Sequence, residues 1–157
     1  MRFVDTTIFV RWGQATPNEA LQNEEISTCG YILNKIRRDE KAQTSSLVKD
    51  EALIWFSCYR ASRLVDFVKS LVAMTNLQII NPSLEDEFQA SKLRDQYPLG
   101  ISDLINLSVM NRYGVREIYS TDKGFDKISS IKRIFDELRD EAGYGDFMEL
   151  LRERTSR

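Results

Sequence analysis

Short apolar runs alternate with longer segments of helical period along most of this chain, and that alternation narrows the fold more than any other feature. Arg2 to Val4 reads as a short buried strand ending at Asp5. Asn18 to about Arg38 carries Cys29, Ile32, Leu33 and Ile36 at i, i+3, i+4 and i+7, the stripe of one long helix. Gln43 to Ser45 offers a short strand. Ser46 to about Tyr59 follows as a helix with Val48, Ala52, Trp55 and Phe56 on one face. Ser62 to about Thr75 is another, with Leu64, Phe67, Val68, Leu71 and Val72 aligned. Leu77 to Ile80 is a strand closed by Asn81-Pro82, and Ser83 caps the next helix, with Asp86 completing a capping box. That helix stops near Tyr97-Pro98. Ser102 is the expected N-cap of a helix to about Tyr113, apolar nearly all round and therefore buried, with Gly114 as its C′ residue. Glu117 to Ser120 is a strand, and Ile131 to Phe135 a weaker one. A final amphipathic segment, Asp136 to Arg154, is interrupted at Gly143-Tyr144-Gly145. Strands joined through helices imply a parallel sheet covered on both faces, an α/β/α sandwich of three layers. Such sheets bind ligands beyond the carboxyl ends of their strands.

At 157 residues the chain suits one compact domain. No internal repeat, low-complexity segment or linker divides it. The longest apolar stretches run only a few residues, as in Leu71-Val72-Ala73-Met74, far short of the roughly 20 that a membrane span requires. Asp5 falls inside the first apolar run, which argues against a signal peptide, so the expected location is the cytoplasm. Cys29 and Cys58 are far apart and both read as small buried apolar residues in helices. The chain has no histidine. That excludes Ser-His-Asp and Cys-His nucleophilic machinery and imidazole metal sites. Catalysis must use carboxylates, Lys, Tyr, Ser/Thr or an oxygen-bound metal. A net charge of −2 counts against a generic polyanion binder.

The acids stand in informative places. Asp5 directly follows the first strand and Asp122 the fourth, so both should emerge at one sheet edge; taken singly, each reads as a turn residue. Glu51 lies at the border of a core-facing stripe, where a charge is costly unless paired or metal-bound, or is simply solvated. Asp103 sits in the first turn of a buried helix, a position the helix dipole alone would favour. Asp126 either supports the same site or caps a turn. If the first four meet, each pair about 5 Å apart repels by roughly 3 kcal/mol at an effective dielectric near 20. A divalent cation offsets that repulsion, and oxygen-only ligands select Mg²⁺ or Mn²⁺. Such a metal activates water and steadies charge developing on a phosphodiester.

Four stretches carry a family resemblance: Phe3-Val4-Asp5-Thr6-Thr7, the run from Thr44 to Glu51, Ile101-Ser102-Asp103-Leu104-Ile105, and the run from Ser120 to Ile128. In order and spacing the chain resembles the PIN-domain family, the small nucleases that include the VapC-type toxins, from the first strand to about Phe135. The resemblance implies a PIN-like, five-stranded parallel sheet in the order 3-2-1-4-5. It implies Mg²⁺ or Mn²⁺ held by Asp5, Asp103 and Asp122, with Glu51 completing the acidic, catalytic set. It further implies hydrolysis of RNA, frequent homodimers and, for toxin members, a protein antitoxin that blocks the site. The domain expected is 1–135, with a helical extension over 136–157 packed on it or on a dimer partner. The pattern departs from the family at Thr7, where Asn is common but a hydroxyl remains. It departs also at Leu104 and Ser108, where small residues are usual, and at Gly124, where an acid is common.

Basic residues near these motifs have two readings each. Arg11, close to Trp12, could meet a phosphate or the acidic cluster, or be a solvated surface residue. Arg60, Arg63 and Lys69 read as a charged face along one helix, open to solvent, RNA or a partner. Lys123, beside Asp122, either touches substrate or fills the turn. The function expected is a metal-dependent endoribonuclease, the toxin of a toxin–antitoxin pair. The alternatives are a housekeeping RNA-processing nuclease and a non-catalytic PIN-like module that binds RNA or protein. Receiver-type and dehalogenase-like phosphotransfer folds lack their second aspartate here, and no phosphate-binding P-loop is present.

Overall fold

A computed structural model describes residues 1–157. Five strands form one sheet: β1 (Arg2–Val4), β2 (Ala42–Ser45), β3 (Leu77–Ile80), β4 (Glu117–Tyr119) and β5 (Lys132–Ile134). Their spatial order is β3-β2-β1-β4-β5 and every pairing is parallel, as the resemblance implies. Eight helices cover the faces: α1 (Thr6–Gln14), α2 (Pro17–Gln22), α3 (Glu24–Arg38), α4 (Ser46–Tyr59), α5 (Leu64–Ala73), α6 (Leu84–Leu93), α7 (Ile101–Arg112) and α8 (Ala142–Thr155). None is long and apolar enough to cross a membrane.

Strand β2, between β3 and β1, reads Ala-Gln-Thr-Ser, a polar run, yet all four residues are buried. Most of its polar side-chain atoms find partners, and only Gln43 Oε1 is buried without one. Thr44 Oγ1 donates to the Val4 carbonyl at 2.7 Å, and Gln43 Nε2 to Gln78 Oε1 at 3.1 Å. Ser45 Oγ accepts from the Val48 amide, capping α4, and donates to Asn106 Oδ1 on α7. Buried polar groups with partners cost little; without them each would cost about 1–3 kcal/mol. Helix α7 is buried as expected, through Leu104, Leu107, Val109 and Met110, and Gly114 takes the left-handed φ of 68° just past its end.

Several local expectations are corrected. The segment after Asp5 forms α1 at once, seating Ile8 and Phe9 in the core. The single helix expected from Asn18 to Arg38 is two. Thr16 and Glu19 form a capping box over Pro17 to start α2, and Asn23 ends it while its side chain accepts from the amides of Glu25 and Ile26 to start α3. A side chain able to cap two amides stops the helix that periodicity alone would continue. The stretch from Ser62 opens as a 3₁₀ turn, Ala61–Arg63, before α5, whose Val68 and Val72 face solvent. Arg60 and Arg63 therefore flank that turn and do not share a helical face with Lys69. Arg63 instead donates to the carbonyls of Gly13 and Ala15. Helix α6 ends at Leu93, short of Tyr97, and Asp95 adopts a φ of 66°. Gly100, not Ser102, is the N-cap of α7. Cys29 is buried, but Cys58 is exposed.

The glycines at 143 and 145 do not interrupt the last segment; they lie in the first turn of α8, and a Cβ on Gly143 would come within 2.8 Å of the Tyr31 hydroxyl. After a 3₁₀ turn at Asp136–Asp140, α8 packs on α2 and α3. Glu141 accepts from Tyr31 Oη at 2.7 Å and pairs with Lys35 at 3.0 Å. Tyr144 shares a 2.7 Å hydrogen bond with Ser27, and the Phe147 ring lies against Tyr31 and Trp12.

Candidate metal centre

All five strands run the same way, so their carboxyl ends share one edge. Asp5 leaves β1 there, Asp122 follows β4 after Ser120 and Thr121, Glu51 lies in the second turn of α4, and Asp103 in the first turn of α7. The edge is stitched by the Asp5 amide donating to the Tyr119 carbonyl at 3.0 Å.

Asp5 is only 4% exposed. It occupies the N-cap position of α1 but makes no capping hydrogen bond. Its Oδ2 accepts instead from Thr7 Oγ1 at 2.8 Å and Ser120 Oγ at 2.7 Å. Burial pushes its pKa up, and those two hydroxyls pull it partly back. Thr7 thus supplies the hydroxyl the sequence promised, and its Oγ1 also accepts from the Thr121 amide at 3.1 Å.

Glu51 is half-buried. Its Oε2 accepts from Thr6 Oγ1 at 3.2 Å, while its Oε1 is shut off from solvent with no hydrogen-bond partner. Burial raises its pKa, the hydroxyls of Ser102 and Thr6 oppose the rise, and the charge of Asp5 adds to it. Asp103 is the focus of the edge. Burial, then the charges of Asp5, Asp122 and Glu51, push its carboxyl up to about 7. Asp122 is fixed through its own turn: its Oδ1 accepts from the Gly124 amide at 2.7 Å, and its amide donates to Ser120 Oγ at 3.0 Å.

The structure explains the departure at Gly124. A Cβ there would sit 3.0 Å from Asp122 Oδ1, Leu99 Cδ2 and the Pro98 carbonyl, so the acid that is common at this place would press on the α6–α7 loop and shift it by a few tenths of an ångström. Asp126 points to Arg133, which it meets at 2.9 and 3.3 Å, and Arg133 also donates to the Ser120 carbonyl. Its link to the edge is therefore indirect. Arg11 pairs with Glu25 at 3.1 Å, and Lys123 is exposed.

None of the four carboxylates forms an ion pair. No three acidic side chains, as placed, converge within the grasp of one ion. The charges of Asp5, Asp122 and Glu51 nonetheless all act on Asp103. The donor set suits a hard divalent cation. It consists of carboxylate oxygens with neither imidazole nor thiolate, and the buried, unpartnered Glu51 Oε1 lacks a positive neighbour. The hydroxyls that frame the acids, Thr6, Ser102 and above all the fully buried Ser120, were not singled out by the sequence reading. The available signal was a Ser or Thr within two residues of each of Asp5, Asp103 and Asp122.

A parallel sheet in this order, with acids from four separate segments at its carboxyl edge, defines a compact α/β domain with an acidic centre. The sequence matches the family model of the PIN domain over residues 2–131, and the chain belongs to that family. No curated protein is a significant match by sequence. Among solved structures the fold is similar to VapC20 of Mycobacterium tuberculosis, a sarcin-ricin loop cleaving toxin. The TM-score is 0.69 at 17% identity, covering 86% of this chain and 99% of that one. It is similar also to a toxin–antitoxin complex from Klebsiella pneumoniae, with TM-score 0.60 and 16% identity over 83% and 95% of the two chains. VapBC2 of Rickettsia felis, bound to a DNA fragment from its promoter, gives TM-score 0.60 and 17% identity over 86% and 98%.

Proposed function

We propose that this PIN domain is a Mg²⁺- or Mn²⁺-dependent endoribonuclease and the toxin of a toxin–antitoxin pair. The observation that carries the reading is the convergence of three carboxylate charges on Asp103 at the ligand-binding edge of the sheet. Four acids without a basic partner at that edge carry a repulsion that a divalent cation would offset. Asp5, Asp103 and Asp122 would hold the metal, with Glu51 completing the set. The bound metal supplies an activated water and charge neutralisation at the scissile phosphodiester.

The chain's own residues prepare the place. Thr7 of α1 and Ser120, just past the end of β4, hold Asp5 by Oδ2 and so fix its carboxylate from both sides of the strand edge. Ser120 accepts from the Asp122 amide while donating to Asp5, so one buried hydroxyl sets two of the acids against each other. Asp103, whose carboxyl is lifted by burial and by the charges of Asp5, Asp122 and Glu51, would hold the cation in place of a proton. RNA as the substrate and a protein antitoxin as partner follow from the family and from the named activities of the structural neighbours. A homodimer is part of the same proposal.

The test is cleavage of a varied RNA panel with Mg²⁺ or Mn²⁺, comparing wild type, Asp5→Asn, and wild type with chelator. Metal-dependent cleavage lost in Asp5→Asn supports the reading. If wild type neither cuts nor binds metal, the chain is a non-catalytic module. A short reading frame adjoining the gene, whose product suppresses cleavage, separates a toxin from a housekeeping nuclease.

A further inference from the structure

Helix α7 carries Asp103, yet its apolar composition does not say which way it should face. Leu104, Leu107, Val109 and Met110 are all buried and spread round the helix, so packing alone tolerates more than one rotation, or a slip along the axis. One buried polar side chain breaks that degeneracy. Asn106, 2% exposed, accepts through Oδ1 from Ser45 Oγ at the end of β2. Ser45 is fully buried, and the same Oγ accepts from the Val48 amide as the N-cap of α4. The Asn106 side chain makes no other hydrogen bond within the protein.

The place of this bond ties it to the carboxylates. Ser45 opens the helix that carries Glu51, and Asn106 lies one turn past Asp103. Asp103 and Asn106, at i and i+3, share a side of α7 with Ser102, which is at i−4 from Asn106. Ser102 hydrogen-bonds Glu51. Helix α7 therefore meets α4 through two polar contacts, Ser102 with Glu51 and Asn106 with Ser45, and Asp103 stands between them in sequence. The first contact involves a half-buried acid that a bound cation would engage. The second is buried and uses no titratable group, so it holds whether or not the site is filled. On the other side of α7, Ser108 and Arg112 reach Asp86 of α6, which bears none of the four acids.

We infer that Asn106 is a positioning residue: through Ser45 it locks the register of α7 on α4 and so sets Asp103 against Glu51. It hydrogen-bonds no carboxylate itself, and its role in metal binding rests on the metal-dependent reading of that edge. A rotation or slip of α7 that parted Asn106 from Ser45 would strand an amide oxygen and a hydroxyl away from water, where each is costly. Buried polar pairs specify register where apolar surfaces do not. An aliphatic side chain at position 106 would suit the surroundings of α7 but would carry no such information.

The test is Mn²⁺ titration calorimetry with thermal melts on the full chain. It compares wild type, Asn106→Leu, Ser45→Ala, the double variant and Tyr144→Phe, each well below its melting temperature. Tyr144→Phe loses the 2.7 Å hydrogen bond to Ser27, which involves no site residue, and so controls for stability alone. Asn106→Leu should bind Mn²⁺ roughly tenfold to a hundredfold more weakly than wild type. The double variant should bind no more weakly than Ser45→Ala, and Tyr144→Phe as tightly as wild type. If Asn106→Leu melts lower but keeps wild-type affinity, Asn106 is structural only and the inference is overturned. Losses that add in the double variant overturn it too, since the two residues then act separately. Crystals of metal-free wild type and Asn106→Leu supply a readout that needs no metal. Helix α7 should be turned or shifted on α4 in the variant, with Asp103 withdrawn from Glu51; an unmoved α7 overturns the inference. Should Asn106→Leu not fold, Asn106→Ala takes its place with the same expectations. If wild type binds no Mn²⁺, the metal reading fails, and the register of α7 in the two crystals alone decides the role of Asn106.

Discussion

The two ends of the same sheet handle charge in opposite ways. Where strands begin, Arg2, Lys35, Glu40, Tyr119 and Glu141 form a mixed network. Arg2 reaches Tyr119 Oη at 2.6 Å, Tyr119 donates to Glu40 at 2.6 Å, and Lys35 faces both Glu40 and Glu141. Where strands end, four acids face one another with no cation. The contrast is sharpest in two carboxylate oxygens, both buried and both without a hydrogen bond. Glu40 Oε2 faces Lys35 Nζ at 3.5 Å, whereas Glu51 Oε1 faces no base at all. The difference shows in Glu141 and Asp103. Burial works against the Glu141 charge, but the Tyr31 hydroxyl and the Lys35 ammonium hold it below the ordinary carboxylate range. Burial and three like charges lift Asp103 to about 7. Ionisable groups that hold a fold together come with partners; groups kept without partners make the carboxyl edge the candidate site.

The comparison can be broken in order of expected effect. Asp103→Asn should lower metal-dependent cleavage about a thousandfold, or about 4 kcal/mol of transition-state stabilisation. Steady-state cleavage rates test this, and a variant as fast as wild type would remove Asp103 from the chemistry. Glu40→Ala, at the other end, should leave cleavage chemistry intact but cost about 3 kcal/mol of stability, because it takes away the charged acceptor of the Tyr119 hydroxyl while Arg2 keeps Glu117 and Lys35 keeps Glu141; urea titration measures it. Saturating Mn²⁺ at about a hundredfold over its dissociation constant should stabilise wild type by about 2.7 kcal/mol, with most of that gain absent in Asp103→Asn. Calorimetry with and without metal gives the answer.

Smaller effects sharpen the same contrast. Asp103 keeps its proton in the folded chain up to about pH 7 but releases it in the unfolded chain near its ordinary value of 3.8. Metal-free stability should therefore fall as pH rises from about 4 to about 7 and level off above. After allowance for solvent screening the loss is on the order of 1–2 kcal/mol. Asp103→Asn should flatten that slope. Glu141 contributes in the opposite sense, since its depressed pKa adds stability that is lost only as the solution turns more acid than the ordinary carboxylate range. Ser120→Ala should cost about 1 kcal/mol and loosen Asp5 and Asp122 together. A stability loss with metal affinity unchanged would make Ser120 a structural residue only.

The fold was readable wherever one signal ruled a segment. Strands β1 and β3 and helix α4 lie where their apolar runs put them, and the capping box at Ser83 and Asp86 is present. Periodicity failed where a polar side chain overrode it, as at Asn23, and where glycines lie in a helix's first turn, as in α8. The polar strand β2 was visible only as a weak hint, because its stability comes from hydrogen bonds to Val4, Gln78 and Asn106 that no local pattern announces. The four acids are proposed from their position relative to strands and helices, whereas the hydroxyls that orient them leave no such mark in the sequence. Ser120 matters through Asp5, a residue 115 positions away, and such a link exists only in three dimensions.

The pairing of β1 with β4 carries a temporal consequence. Asp5 is made well before β4, yet its amide is tied to Tyr119 and its carboxylate to Ser120. A growing chain that has not yet delivered β4 has neither the strand that braces Asp5 nor Asp122 itself. The acidic edge is thus completed late in synthesis, by closure of the longest loop between neighbouring strands, and truncated or nascent products lack it.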